Sequence, residues 1–267
     1  MHGVNRDRDT VAVTPPQALT CLRTLNIDGC ERLALLRLPI LRLLRLSPAL
    51  TELILYNLPL SHAQEEGETL AGVVLPCLRR LTVARYSNEL GPNDPTGDIL
   101  DYISAPGLEI FNFDCTVDYQ KFFSFLRRLS APIQDIRIWE MQSFDRMLYP
   151  LISTVPRVNF QWVHAQAVEQ LFNTLEQPVA LPSLRTLEVR YSQCHEPPDA
   201  FWDAVLRGLF NRRTQLQTVD IRYHMARDPV IPPKIIAGLR ELVEDGMDIR
   251  IKSKYDYENR HNIIFSV

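Results

Sequence analysis

Short runs in which apolar residues recur on every second position punctuate this chain, and each is led by an apolar residue three places earlier. The clearest is LTCLRTLNIDGC, Leu19 to Cys30, where Leu22, Leu25, Ile27 and Cys30 take the first, fourth, sixth and ninth places of the pattern LxxLxLxxN/C. Alternation over the third to seventh places predicts a short strand whose even places point inward. The polar or thiol group at the ninth place serves the backbone where the chain turns away. The same beat returns at Leu50, Leu53, Leu55 and Leu58, at Leu78, Leu81 and Val83, and at Leu108, Phe111, Phe113 and Thr116. It continues through Ile133, Ile136 and Ile138, through the weaker Val155, Val158, Phe160 and Val163, and through LPSLRTLEVRYS. Leu216, Val219 and Ile221 form an eighth run, and Ile249 and Ile251 a shorter ninth.

Between these strands the apolar spacing changes to that of helices. VDYQKFFSFLRRLS predicts an amphipathic helix through Phe122, Phe125, Leu126 and Leu129, and AQAVEQLFNTLEQ, PPDAFWDAVLRGLFNRR and PPKIIAGLRELVEDG predict three more. CERLALLRLPILRLLRL suits a short helix or turn interrupted at Pro39, and DILDYIS a short helix. One such unit cannot bury its own apolar face, so neighbours must stack. The fold class expected is α/β, as an irregular leucine-rich-repeat solenoid of about nine repeats: a curved parallel sheet on the concave side, helices and loops on the convex side. Fourth-place residues recur every 22 to 32 positions, so the intervening loops vary in length. Pro48, Pro76, Pro106 and Pro182 stand two residues before the first leucine of their units, where a missing donor suits a corner ahead of the ladder. The rival is a doubly wound α/β domain; the narrow LxxLxL signature and the lack of a glycine-rich phosphate loop after any strand count against it. Residues 1–18 read as a flexible leader and residues 19–267 as one repeat domain with a C-terminal cap.

Composition changes this picture little. The hydrophobic share of 46% suffices for a continuous core, and a net charge of -3 supplies no global attraction to nucleic acid or anionic membrane. No run of about 18 apolar residues occurs, and the polar start MHGVNRDRDT does not resemble a secretory signal, so a cytoplasmic or nuclear protein is expected. Cys21, Cys30, Cys77, Cys115 and Cys194 contain no CxxC pair and read as reduced, mostly buried thiols.

Catalysis finds little support. Cys194 beside His195 lacks a legible orienting group, and the acidic loop at Glu65, Glu66 and Glu68 lacks the ligand rhythm of a calcium loop. No catalytic, cofactor or metal site is expected. The odd places offer more. By alternation, Thr24, Asn26, Asp28, Glu52, Ile54, Tyr56, Arg80, Thr82, Asn112, Asp114, Asp135, Arg137, Trp139, Asn159, Gln161, Glu188, Arg190, Asp220, Arg222, Arg250 and Lys252 face the open concave side. The seventh places of the last three repeats, Arg190, Arg222 and Lys252, would form a cation ladder with steps of roughly 5 Å. Trp139 stands beside it, and Trp162, Tyr191 and Tyr223 take the following eighth places, as interface anchors would, although Trp162 and Trp202 also suit core packing. Two readings stay open: a groove for an acidic or phosphorylated protein segment, or an ordinary surface on which Glu188, Asp220 and Asp248 neutralise the cations across the sheet.

The openings LPCLRRLTV, LPSLRTLEV and SPALTELIL, the irregular repeat length, and phrases such as CLRTLNIDGC and LRTLEVRYSQC carry a family likeness. From Leu19 onward the chain resembles the leucine-rich-repeat region of fungal F-box proteins, especially those of mushroom-forming fungi. The resemblance implies a protein-binding module that recruits substrates to an SCF-type ubiquitin ligase; a stand-alone interaction scaffold is the alternative. Residues 1–18 carry no apolar helical pattern of the kind an F-box needs, so docking on the ligase adaptor would require an F-box in a longer product.

Overall fold

A computed structural model describes residues 19–28, 37–56, 72–84, 95–114, 119–129, 131–139, 148–177, 179–191, 199–223, 230–253 and 263–264. The strands are β1 (Thr24–Asp28), β2 (Glu52–Tyr56), β3 (Val73–Val74), β4 (Arg80–Ala84), β5 (Ile103–Ser104), β6 (Ile110–Asp114), β7 (Asp135–Trp139), β8 (Arg157–Val163), β9 (Thr186–Tyr191), β10 (Thr218–Tyr223), β11 (Asp248–Ser253) and β12 (Ile263–Ile264). The helices are α1 (Arg37–Arg45), α2 (Tyr119–Arg128), α3 (Tyr149–Ile152), α4 (Ala165–Leu175), α5 (Asp199–Asn211) and α6 (Pro233–Glu244), with a 3-10 helix over Pro95–Tyr102.

The fold is α/β. Among the described residues, nine strands form one parallel sheet in the order β1-β2-β4-β6-β7-β8-β9-β10-β11, and β12 extends it antiparallel to β11. β3 and β5 pair separately. A doubly wound sheet needs a point where the strand order reverses, and here the order follows the chain throughout. The register aligns the fourth places Leu25, Leu53, Leu81, Phe111, Ile136, Val158, Leu187, Val219 and Ile249 in one row.

The corners explain the prolines. In Ser47–Leu50, Leu75–Leu78, Ala105–Leu108 and Leu181–Leu184 the last amide donates to the first carbonyl at 3.1 to 3.2 Å, with proline second in each turn. Proline's fixed φ suits that position and its missing N–H costs nothing there. The next amide then donates to the preceding unit, as Thr51 does to Arg23 and Arg79 to Thr51, both at 2.8 Å, which starts the ladder. Arg23, Arg79 and Arg185, each just after a first-place leucine, donate from Nη1 to the carbonyls of Ala49, Gly107 and Gln215 in the following unit at 3.0 to 3.1 Å.

From β2 to β11 every fourth- and sixth-place side chain is at most 2% exposed, whereas Leu25 and Ile27 on the edge strand β1 are half-buried. Helical side chains complete the same core. Phe122 and Phe125 of α2 lie against Phe111 at 5.6 and 5.1 Å between ring centroids. Helices α4 and α5 approach so closely that a Cβ at Gly208 would lie 2.6 Å from the carbonyl oxygen of Phe172. Arg212, 3% exposed, donates to the Leu175 carbonyl at 2.8 Å, to Gln215 Oε1 at 2.7 Å, and to the carbonyls of Gln177 and Ala180, tying down the chain between α4 and β9. Helix α6 ends in a left-handed Gly246 (φ 99°), with its amide on Val243 and that of Met247 on Leu242 at 2.9 and 3.0 Å, the pairing that satisfies the last carbonyls of a helix.

Several expectations are corrected. Pro39 does not interrupt α1; it lies in the first turn, whose amides have no intrahelical acceptor to lose. The sixth unit, weakest by pattern, forms the seven-residue β8, because Pro156 precedes the ladder rather than entering it. DILDYIS is part of the 3-10 helix and ends in β5. Cys21 is exposed and Cys77 half-buried, so the expected burial of thiols fails where it can be read. Residues 1–18, Cys30, Leu58, Cys115, Thr116, the glutamates Glu65, Glu66 and Glu68, and the Cys194–His195 pair lie outside the described residues.

Candidate functional site on the outward sheet face

The odd places form the face opposite the core. The fifth-place row runs Asn26, Ile54, Thr82, Asn112, Arg137, Asn159, Glu188, Asp220 and Arg250, and none of these belongs to the hydrophobic core cluster. In the seventh-place row, Arg222 pairs in register with Arg190 on one side and Lys252 on the other, as expected for the cation ladder. Parallel strands about 4.8 Å apart put such neighbours in lateral contact.

Several polar groups on this face pair with one another. Asn112 donates to Thr82 Oγ1 at 2.9 Å, and Arg157 reaches Asp135 Oδ2 at 3.4 Å. Gln161 donates to Asn159 Oδ1, and Asn159 in turn donates to Glu188 Oε2 at 2.6 Å. Asp220 and Asp248 each pair with an arginine of their own strand. Arg222 folds back on Asp220 of its own strand, with contacts of 2.7 to 3.1 Å, and Arg250 on Asp248 with contacts of 2.6 and 3.1 Å. Residues two apart on a strand share a face about 6.6 Å apart, within reach of an arginine stem. Glu188 is held by Asn159, and Arg137, Arg190 and Lys252 have no hydrogen bond or ion pair among the described residues.

The aromatic residues divide differently from expectation. Trp139 is half-buried on the outward face, in register with Gln161. Tyr191 and Tyr223 are fully buried rather than exposed anchors: eight is an even place, so both turn inward, 5.7 Å apart edge to face, and pack with Phe201 and Trp202 of α5. Burial pushes the Tyr191 hydroxyl up to about 12 and Tyr223 well above its ordinary value, with Tyr191 adding to the latter. Trp202 is fully buried, as read. Trp162 is not a core residue. The register passes from Phe160 opposite Val189 to Val163 opposite Tyr191, so two residues of β8 face one of β9. At that bulge Trp162 adopts φ 58° and is 37% exposed, while Val163 takes the inward place. The adjacent pair Trp162–Val163 was the available signal, since either could have filled one inward site.

No group of three or more His, Cys, Asp or Glu side chains among the described residues could hold a metal ion, and no described helix is long and apolar enough to cross a membrane. Comparison with protein-family models and with curated proteins finds no match.

Proposed function

We propose that this chain is a non-catalytic leucine-rich-repeat solenoid that binds another protein on its outward sheet face, as the substrate-recognition part of an F-box subunit of an SCF-type ubiquitin ligase does. In that architecture this is the concave side. The observation that carries the reading is one continuous face of nine parallel strands in chain order, its side chains mostly polar, in register and outside the core cluster. Stacked repeats use such extended surfaces for binding. The module works without cofactor or metal, in cytoplasm or nucleus, and would dock on the ligase adaptor only if a longer product supplied an F-box.

The test places a photo-crosslinking residue at outward Asn26 or Arg250 and, as controls, at helix-side Gln166 or Arg240, all exposed. A partner protein crosslinks from the outward positions; crosslinks from the helix side alone overturn the reading. Cullin-RING subunits copurifying with the longer product separate the ligase role from a stand-alone scaffold.

A further inference from the structure

Three neighbouring strands carry an acid two places before an arginine: Glu188 with Arg190, Asp220 with Arg222, and Asp248 with Arg250. In β10 and β11 the pair closes on itself. In β9 it stays open, because Glu188 accepts from Asn159, which is itself held by Gln161. The β8 bulge sets Gln161 and Trp162 together opposite Arg190. Arg190 is left with no acceptor, and its Nε is shielded from solvent. A shielded donor without an acceptor is costly, and a carboxylate that meets the same guanidinium forms a strong charge-assisted pair.

The surroundings state what kind of carboxylate arrives. From β7 to β11 the outward places hold six cations, Arg137, Arg157, Arg190, Arg222, Arg250 and Lys252, against four carboxylates, Asp135, Glu188, Asp220 and Asp248, on a chain whose net charge is -3. Arg137 and Lys252, the other two without partners, lie two strands to either side of β9. Two strand spacings are about 10 Å, the length of roughly three residues of extended chain.

We propose that β7 to β11 take an extended acidic peptide running across the strands, with one side-chain carboxylate on Arg190 and acids three residues before and after it near Arg137 and Lys252. Asn159 is a positioning residue: it holds Glu188 away and keeps Arg190 open. This deepens the protein-binding reading above and rests on it.

The probe is a fluorescein-labelled synthetic peptide with three glutamates, one at every third position, against an isomer with the glutamates adjacent, both titrated by anisotropy with the full chain. The spaced peptide binds about tenfold tighter than its isomer, a difference of about 1.4 kcal/mol. Arg190→Glu and the milder Arg190→Gln each weaken it about tenfold or more, and Arg222→Gln less than about threefold, since Arg222 is already paired. Asn159→Leu also weakens it by releasing Glu188 onto Arg190, and adding Glu188→Gln restores it, which a merely structural role for Asn159 would not do. Equal binding of the two isomers, indifference to both Arg190 variants, or no rescue by Glu188→Gln overturns the proposal. If the spaced peptide fails while crosslinks from Asn26 and Arg250 persist, this inference falls and the protein-binding reading stands.

Discussion

The two faces of this sheet are made from alternate residues of the same strands, yet they follow different rules. Inward, at the fourth and sixth places, side chains from β2 to β11 are at most 2% exposed and interlock with helices. Outward, amides and charges settle their bonds among neighbours, in chains such as Gln161–Asn159–Glu188, and leave Arg137, Arg190 and Lys252 without partners among the described residues. The difference teaches that fold and recognition are separable here at single-residue spacing. A substitution one place along a strand changes which of the two it tests.

Breaking the inward face has the largest effect. Phe111→Ala removes a ring that meets Phe113, Phe122 and Phe125 at 5.1 to 5.8 Å; it costs about 3 to 5 kcal/mol in chemical denaturation, and a loss below about 1 kcal/mol would deny the interlocked core. Arg212→Ala leaves the carbonyls of Leu175, Gln177 and Ala180 without their donor. A cost on the order of 3 kcal/mol is expected, because buried acceptors lose a charged partner. An alkaline ramp sharpens the contrast between tyrosines. Tyr191, raised to about 12, keeps its proton in the fold above the ordinary value near 10, so its contribution is intact below about pH 10 and is lost as the pH rises through about 12. Absorbance of ionised tyrosine should therefore lag for Tyr191 and Tyr223 and rise with unfolding; full ionisation in a folded chain near pH 10 would contradict their burial. The outward, exposed Asn26→Ser should change stability by no more than about 0.5 kcal/mol, as read by thermal melting.

Strand centres such as Leu187–Val189 and Val219–Ile221 were legible in the sequence because period-two alternation is set by backbone geometry, which no tertiary contact can shift without a bulge. The one described bulge in the parallel sheet is where legibility stopped. Trp162 and Val163 competed for one inward place, and hydrophobicity alone favoured the wrong one. Tyr191 and Tyr223 differ from expectation for another reason: parity already turns them inward, but their place beside the arginines suggests interface anchors. Charge pairing was the least legible part. Asp220 can reach a cation along its strand or across it at similar distances, and in the fold Arg222 takes it while Glu188 goes to Asn159. The two-residue β12 has too few residues to display a period.

The claim underneath all of this is the alternation itself, and β9 offers its cleanest reading, half-buried at Thr186, Glu188 and Arg190 and buried at Leu187, Val189 and Tyr191. Single cysteines placed at these positions in a background without Cys21, Cys77 or the other native thiols can be timed for their reaction with a thiol reagent in the folded protein. The account predicts fast labelling at 186, 188 and 190 and protection at 187, 189 and 191. Equal labelling along the strand, or protection at 188 and 190 with labelling at 187 and 189, would contradict it.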